Sequence, residues 1–219
     1  VQMDSLAKEG ILFTNFYANS FRTDRGLVAI LSGYPAQPTT SIMKYPRKTQ
    51  NLPAIAGSLR DTGYRTKYYY GGDADFTNMR SYLMSSGFEN IISDQDFPVS
   101  ERLSKWGAHD HLVFNRLLED MKAEAADTAS AENARPFFQV LQTSSSHEPF
   151  EVPYRRLAND RLNAFAYTDS CVGETTTSTI LVTSVGLFVQ TSATSANCRN
   201  GRIQCWYWFP TIWVHILNI

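Results

Sequence analysis

Three short stretches of this chain carry residue types that can do chemistry. The first reads Ala18-Asn19-Ser20-Phe21-Arg22-Thr23-Asp24-Arg25-Gly26. A threonine that opens a helix meets unpaired backbone N–H groups and the positive end of the helix dipole. That setting suits a hydroxyl that must become an alkoxide or hold a phosphate. Arg22 and Arg25 add positive charge for a phosphoryl or sulfuryl group. By position alone, a plain N-cap is the commoner role for Thr23. The second stretch, 143–150, reads Thr-Ser-Ser-Ser-His-Glu-Pro-Phe. Its His147 follows an apolar run and can donate to a phosphate oxygen, act as an acid or bind metal; a loop histidine without a role fits equally well. The third stretch, 71–78, reads Gly-Gly-Asp-Ala-Asp-Phe-Thr-Asn. Asp73 and Asp75 can accept from substrate hydroxyls, although a glycine turn before a capped helix explains the pattern without any ligand. Asp110-His111 has the look of a metal pair, but it opens an amphipathic pattern and reads as a helix cap on the surface.

The elements around these stretches alternate. Residues 4–9 read as the end of a helix, and 11–17 as a buried strand rich in β-branched and aromatic residues. A short helix follows over 23–31, with Gly33 at its end, and 35–47 is a loop by its Pro, Thr and Ser content. Leu52-Pro53 opens a further helix, with Leu52, Ile55 and Leu59 on one face and Gly63 as its stop. A strand is expected over 65–70. Thr77 or Asn78 then caps a helix carrying Met79, Tyr82 and Leu83, and 91–92 is a short strand. From Asp110 a helix presents Leu112, Val113, Phe114, Leu117, Leu118 and Met121 as one broad stripe. Residues 137–142 form a buried strand that delivers His147 beyond its carboxyl end, and 163–174 is helical. This alternation predicts an α/β fold with a mainly parallel sheet and helices on both faces. Ligands in such sheets bind outside the carboxyl ends of the strands, where the loops after Tyr17, Tyr70 and Gln142 lie.

Composition narrows the function further. The chain has 219 residues with 20 basic and 21 acidic side chains. That near balance argues against a nucleic-acid binder held by a basic face. Three cysteines, Cys171, Cys198 and Cys205, give neither a disulfide framework nor a paired Cys-x-x-Cys zinc site. The text changes near residue 174. Residues 1–174 hold 18 basic and 21 acidic groups, whereas 175–219 hold Arg199 and Arg202 as their only charges and three of the four tryptophans. Two units are therefore expected, 1–174 and an atypical tail, 175–219. Buried strands, membrane contact and a shifted reading frame each account for the tail. Val1 at the start and the lack of an opening apolar span suggest that any anchor lies upstream.

Taken together, the motifs resemble a known group. Thr23 stands ten residues before Gly33 of Leu31-Ser32-Gly33-Tyr34-Pro35. That spacing resembles the nucleophile region of the sulfatase and alkaline phosphatase superfamily. Sulfatases carry Cys or Ser followed by x-Pro-x-Arg, whereas a threonine without that proline resembles the lipoteichoic acid synthase branch, the phosphoglycerol transferases. Gly63-Tyr64-x-Thr66, Tyr70-Gly71-Gly72-Asp73, Phe76-x-Asn78-Met79, Gly87-Phe88 and Ser-x-His147-x-Pro149-Phe150 agree with it.

The resemblance covers 1–174 and implies an incomplete alkaline phosphatase/sulfatase-like fold. It implies a metal-dependent phosphoryl transferase acting on a lipid-linked phosphodiester donor and a hydroxyl acceptor. Thr23 maps onto the nucleophile, which is also a metal ligand. His147, Asp73, Arg22 and Arg25 fall on the substrate side. The implied cofactor is a divalent metal (manganese, magnesium or zinc) whose full ligand set is absent from this chain, since no Asp follows Asp169 to supply the expected Asp-His pair. The fragment alone is therefore expected to have little activity. The implied place is the extracytoplasmic side of a bacterial cytoplasmic membrane, reached through upstream helices. The alternatives are a sulfatase, a phosphoethanolamine transferase and a non-catalytic anion- or glycan-binding relative.

Overall fold

The computed structural model describes residues 2–9, 19–126, 135–178, 184–189, 192–193, 207–208 and 212–217. Its helices are α1 Gln2–Glu9, α2 Thr23–Ser32, α3 Pro46–Thr49, α4 Ile55–Asp61, α5 Met79–Ser85, α6 Asp110–Ala126 and α7 Asp160–Ser178. Its strands are β1 Arg65–Tyr70, β2 Asn90–Ile92, β3 Phe137–Gln142, β4 Ser184–Val189, β5 Ser192–Ala193, β6 Tyr207–Trp208 and β7 Ile212–Leu217.

A five-stranded sheet runs in the order β2-β1-β3-β7-β4, and β5 pairs with β6 separately. The pairs β1–β2 and β1–β3 are parallel, whereas β7 is antiparallel to both β3 and β4. The parallel trio and its helices are the α/β arrangement expected from the alternating pattern. The expected strand at 11–17 and the apolar run at 180–182 lie outside the described residues.

Helices cover both faces of the parallel trio β2-β1-β3. On one face, Leu27, Val28 and Leu31 of α2 join Ala56 of α4 and Met79, Tyr82 and Leu83 of α5. They pack on Tyr68, Phe138 and Val140 of the strands, and the Phe88 ring meets Tyr68 edge-on at 5.3 Å between centroids. On the other face, Val113, Phe114 and Leu117 of α6 join Tyr167, Cys171 and Val172 of α7 against Tyr69 and Leu141. Each large apolar side chain buried in this way contributes roughly 1.5–3 kcal/mol of transfer free energy. Helix α1 lies on α7, and Asp169 accepts from the backbone N–H groups of Gln2 and Met3, both at 2.9 Å. A carboxylate there satisfies orphan donors at the positive end of α1.

Several local expectations shift. Pro53 does not open a helix: α4 begins at Ile55, with Ala54 as N-cap in extended conformation. Leu52 and Leu59 pack on the core as expected, but Ile55 is exposed and Ala56 is the fully buried residue of the helix. The loop over 35–47 contains a 3-10 turn at Ile42–Lys44 and the first residues of α3.

Candidate active site

Register is what brings the reactive loops together. Tyr70, the last residue of β1, is the ladder partner of Gln142, the last residue of β3. The chain therefore leaves both strands at one level, and the N-terminus of α2 completes the wall. A cleft of about 290 Å³ opens there, lined among others by Arg22, Thr23, Tyr70, Gln142, Ser144 and His147. Phe21, Phe76 and Trp106 also line it.

Thr23 is the first helical residue of α2, and the N-cap is Arg22, whose extended backbone (φ −118°, ψ 136°) makes no side-chain cap bond. The Thr23 hydroxyl is thus not the helix cap that its position suggests, and it sits on the cleft wall at the positive end of the helix. Arg22 lies on the rim, its Nε donating to Asp24 Oδ1 at 3.0 Å. Asp24 is buried, and its Oδ2 has no partner among the described residues. Arg25 is turned away: it donates to the Pro38 carbonyl at 2.8 Å and lies over the Phe21 ring at 5.5 Å, and it does not line the cleft.

The other wall is the loop after β3. Residues 143–146 are all buried, whereas His147 is partly exposed. The His147 N–H donates to the Ser144 carbonyl at 3.0 Å, which closes a tight turn. Its Nδ1 lies 3.0 Å from the Glu148 carbonyl, which also accepts from Trp106 Nε1 at 2.7 Å. With Nδ1 protonated and donating there, Nε2 is left to accept a proton or, as imidazolium, to give one. The Trp106 ring stands edge-on to His147 at 4.5 Å.

Asp110 fixes this loop from behind. It is fully buried and not the surface cap read from the sequence. Its Oδ1 accepts from the backbone N–H groups of Ser144 at 2.8 Å and Ser145 at 3.1 Å. Its Oδ2 accepts from the Thr168 hydroxyl at 2.8 Å, and its own N–H donates to Ser145 Oγ at 3.0 Å. Burial pushes the Asp110 carboxyl above the ordinary aspartate range, against the opposing pull of these hydrogen bonds. Burial likewise pushes the Tyr70 phenol up, with Asp73, Asp110 and Asp94 adding to it, so Tyr70 faces the cleft as a neutral donor.

The double glycine after β1 has a different reason from a sharp turn. A Cβ on Gly71 would lie 2.3 Å from the Ala108 carbonyl oxygen, and one on Gly107 (φ +110°) 2.2 Å from the Gly71 carbonyl oxygen. Only bare backbone fits, and the Ala108 N–H then donates to the Gly71 carbonyl at 2.8 Å. This contact carries Trp106 into the cleft. Asp73 is exposed and accepts from the Asp75 N–H at 2.8 Å, which closes its own turn, and it does not line the cleft. Of the five residues singled out from the sequence, Thr23, Arg22 and His147 meet in one cleft, and Arg25 and Asp73 lie off it. Ser144 and Tyr70 fall in stretches the sequence marked without a role of their own, Asp110 read as a surface cap, and Trp106 carries no local signal, because tertiary contacts bring it to the site.

Among the described residues, no group of three or more His, Cys, Asp and Glu side chains is placed to hold a metal ion. Of the cleft's lining residues, Asp24 is the one carboxylate and His147 the one imidazole, beside the Thr23 hydroxyl, and no second carboxylate joins them there. No helix among the described residues is long and apolar enough to cross a membrane.

This architecture is that of the alkaline phosphatase superfamily. A protein of that superfamily from Vibrio parahaemolyticus superposes with a TM-score of 0.77 at 25% identity, covering 100% of this chain and 54% of that one. The lipoteichoic acid synthase LtaP from Listeria monocytogenes shares the fold, with a TM-score of 0.75 at 15% identity, covering 100% of this chain and 59% of that one. Residues 2–179 match the model of the sulfatase family, and the chain belongs to that family. Among curated relatives, phosphoglycerol transferase I of Xanthomonas campestris pv. campestris strain B100 is 30% identical over 136 residues, which is 58% of this chain and 18% of that protein. The same enzyme of Xanthomonas axonopodis pv. citri strain 306 is 30% identical over 138 residues, with the same coverage. The chain thus spans about a fifth of the length of these relatives.

Proposed function

We propose that this chain is the nucleophile-bearing part of a phosphoryl transferase of phosphoglycerol type, which acts on a lipid-linked phosphodiester through Thr23. The observation that carries this reading is the meeting of Thr23 and His147 across one cleft, at the N-terminus of α2. Relatives named phosphoglycerol transferase I agree with it.

The chemistry follows from the placement. Thr23 Oγ attacks phosphorus, forming a P–O bond to the enzyme and breaking the bond to the lipid oxygen. The proton lost by Thr23 is balanced by the one the lipid alkoxide must gain, and His147 Nε2 is the ring nitrogen free to handle protons. Arg22 and the α2 N-terminus offset charge on the phosphoryl oxygens. An acceptor hydroxyl then attacks the phosphothreonine and restores Thr23.

The divalent metal implied by the family resemblance does not fit the described residues, and no step above runs through one. Its ligands are to be sought elsewhere in the gene. Translating the coding DNA from codon 165 in all three frames is a direct search for an Asp-His pair beyond α7. The full-length gene product would sit at the extracytoplasmic face of a bacterial membrane, where such a donor resides.

Incubation of the full-length protein with headgroup-labelled phosphatidylglycerol tests the assignment. Covalent label on Thr23, lost in Thr23→Ala, is the expected result. Turnover unchanged by Thr23→Ala would overturn the nucleophile. A second reading, an anion-binding relative without catalysis, draws on the lack of a metal-holding cluster among the described residues, and it predicts metal-insensitive binding weakened by Arg22→Ala or His147→Ala.

A further inference from the structure

A basic turn borders the cleft and plays no part in the chemistry above. Residues 25–60 contain no acidic side chain. Within them, Lys44, Tyr45, Arg47 and Lys48 are all exposed, Tyr45 at 47%. Lys44, Arg47 and Lys48 form no ion pair among the described residues, and Lys48 Nζ rests over the Tyr45 ring at 5.0 Å.

The turn is rigidly held. Met43 and Thr49, which flank the basic residues, are both buried. The Lys48 N–H donates to the Tyr45 carbonyl at 2.8 Å, and Thr49 Oγ1 donates to the Pro46 carbonyl at 3.1 Å. It is also tied to both sides of the cleft mouth. Ser41 Oγ donates to the Asp24 carbonyl at 3.1 Å, and Thr77 Oγ1 lies 3.9 Å from Met43 Sδ. Next to Thr77, Phe76 lines the cleft while 58% exposed, and Phe21 on the opposite rim is 53% exposed.

We infer that this turn docks the cleft mouth onto a lipid surface bearing anionic headgroups. Three unpaired cations in five residues suit a negative surface, and the aromatic side chains between and beside them suit the headgroup boundary, where amphipathic rings partition. A solvated basic turn alone would not be accompanied by exposed Phe21 and Phe76 at the mouth of the same cleft. The inference deepens the proposed function: the donor is lipid-linked, so the cleft must reach the bilayer, and this edge is the one that meets it.

Sedimentation with vesicles tests the inference. Vesicles of phosphatidylcholine with about one-third phosphatidylglycerol should bind the 219-residue chain, and pure phosphatidylcholine vesicles should not. Each basic residue near an anionic surface raises partitioning by about fivefold, so K44Q/R47Q/K48Q should lose binding by about a hundredfold. Raising NaCl from 0.05 to 0.5 M should release the wild-type protein, a readout independent of how well the variant folds. Equal binding to both vesicle types, salt-insensitive binding, or unaltered binding by a folded triple variant each overturns the docking surface. So does binding to a soluble polyanion such as dextran sulfate without binding to vesicles. Labelling of Thr23 from detergent-solubilised donor stands or falls separately, so loss of docking and loss of the phosphoryl-transfer reading are told apart.

Discussion

The two faces of the sheet are built by different means, and Tyr68 and Tyr69 show it within one strand. Tyr68 points into the α2/α4/α5 face among Leu27, Leu31, Leu83 and Phe138, and its hydroxyl donates to a neutral partner, the Gln142 side-chain carbonyl. Tyr69 points into the α6/α7 face, and its hydroxyl donates to Asp120 at 3.0 Å. That face also encloses the fully buried Asp110 carboxylate, with partners in the β3 loop and α7. The first face carries Thr23 and the second holds the His147 loop. The nucleophile thus stands on a packed apolar block, while the histidine depends on a buried polar hub. Loss of a methylene on the first face should loosen it locally, whereas loss of one acceptor on the second should release a whole loop.

The sharpest test sets chemistry against folding. Thr23→Ala should lower phosphoryl transfer by the full-length enzyme at least a thousandfold while shifting unfolding free energy by no more than about 0.5 kcal/mol. Parallel turnover and urea-unfolding measurements check both. Asp110→Ala strands two buried N–H groups and the Thr168 hydroxyl, so it should cost about 3 kcal/mol or more. It should also alter the His147 ring signals in NMR spectra. Leu83→Ala on the apolar face should cost about 2–5 kcal/mol and leave those signals in place. If both substitutions disturbed His147 alike, the division between the faces would collapse. Asp110→Asn keeps an acceptor for the N–H groups and lets the Thr168 hydroxyl turn, so it should cost only about 1–2 kcal/mol.

The smallest effects are those of pH, and they have opposite signs. The Asp110 carboxyl is raised by burial, so its contribution is present below the ordinary aspartate range and is lost as pH rises through its folded value. His109 is lowered, by burial first and by His111 second. Its contribution is therefore present above the ordinary histidine range and is lost as pH falls through its folded value. Urea midpoints across pH 4–8 should lose the first slope in Asp110→Asn and the second in His109→Gln.

The apolar face was largely legible beforehand. The 65–70 and 137–142 strands and the Met79–Tyr82–Leu83 stripe follow from runs and periods that a short window contains. On the other face the Val113–Phe114–Leu117 stripe packs as read, but the polar hub was not legible. Asp110 looks like a helix-opening residue because its acceptor role is set by Ser144 and Thr168, which lie 34 and 58 positions away. Trp106 enters the cleft because Gly71 and Gly107 touch, and no local pattern pairs those two glycines. His147 was readable because a strand end is a local feature. Asp73 and Arg25 stood beside readable features too, but each is turned off the cleft by a short-range bond to its own neighbourhood.

One consequence of the Asp110 hub concerns synthesis of the chain. A ribosome releases residues in order, and the carboxylate waits for Ser144 and then for Thr168 before its hydrogen bonds are complete. The α2/α4/α5 layer can settle on β1 much earlier, although β3 must still dock. The nucleophile is therefore housed before its histidine is aimed, and a nascent chain has no assembled cleft until α7 has emerged.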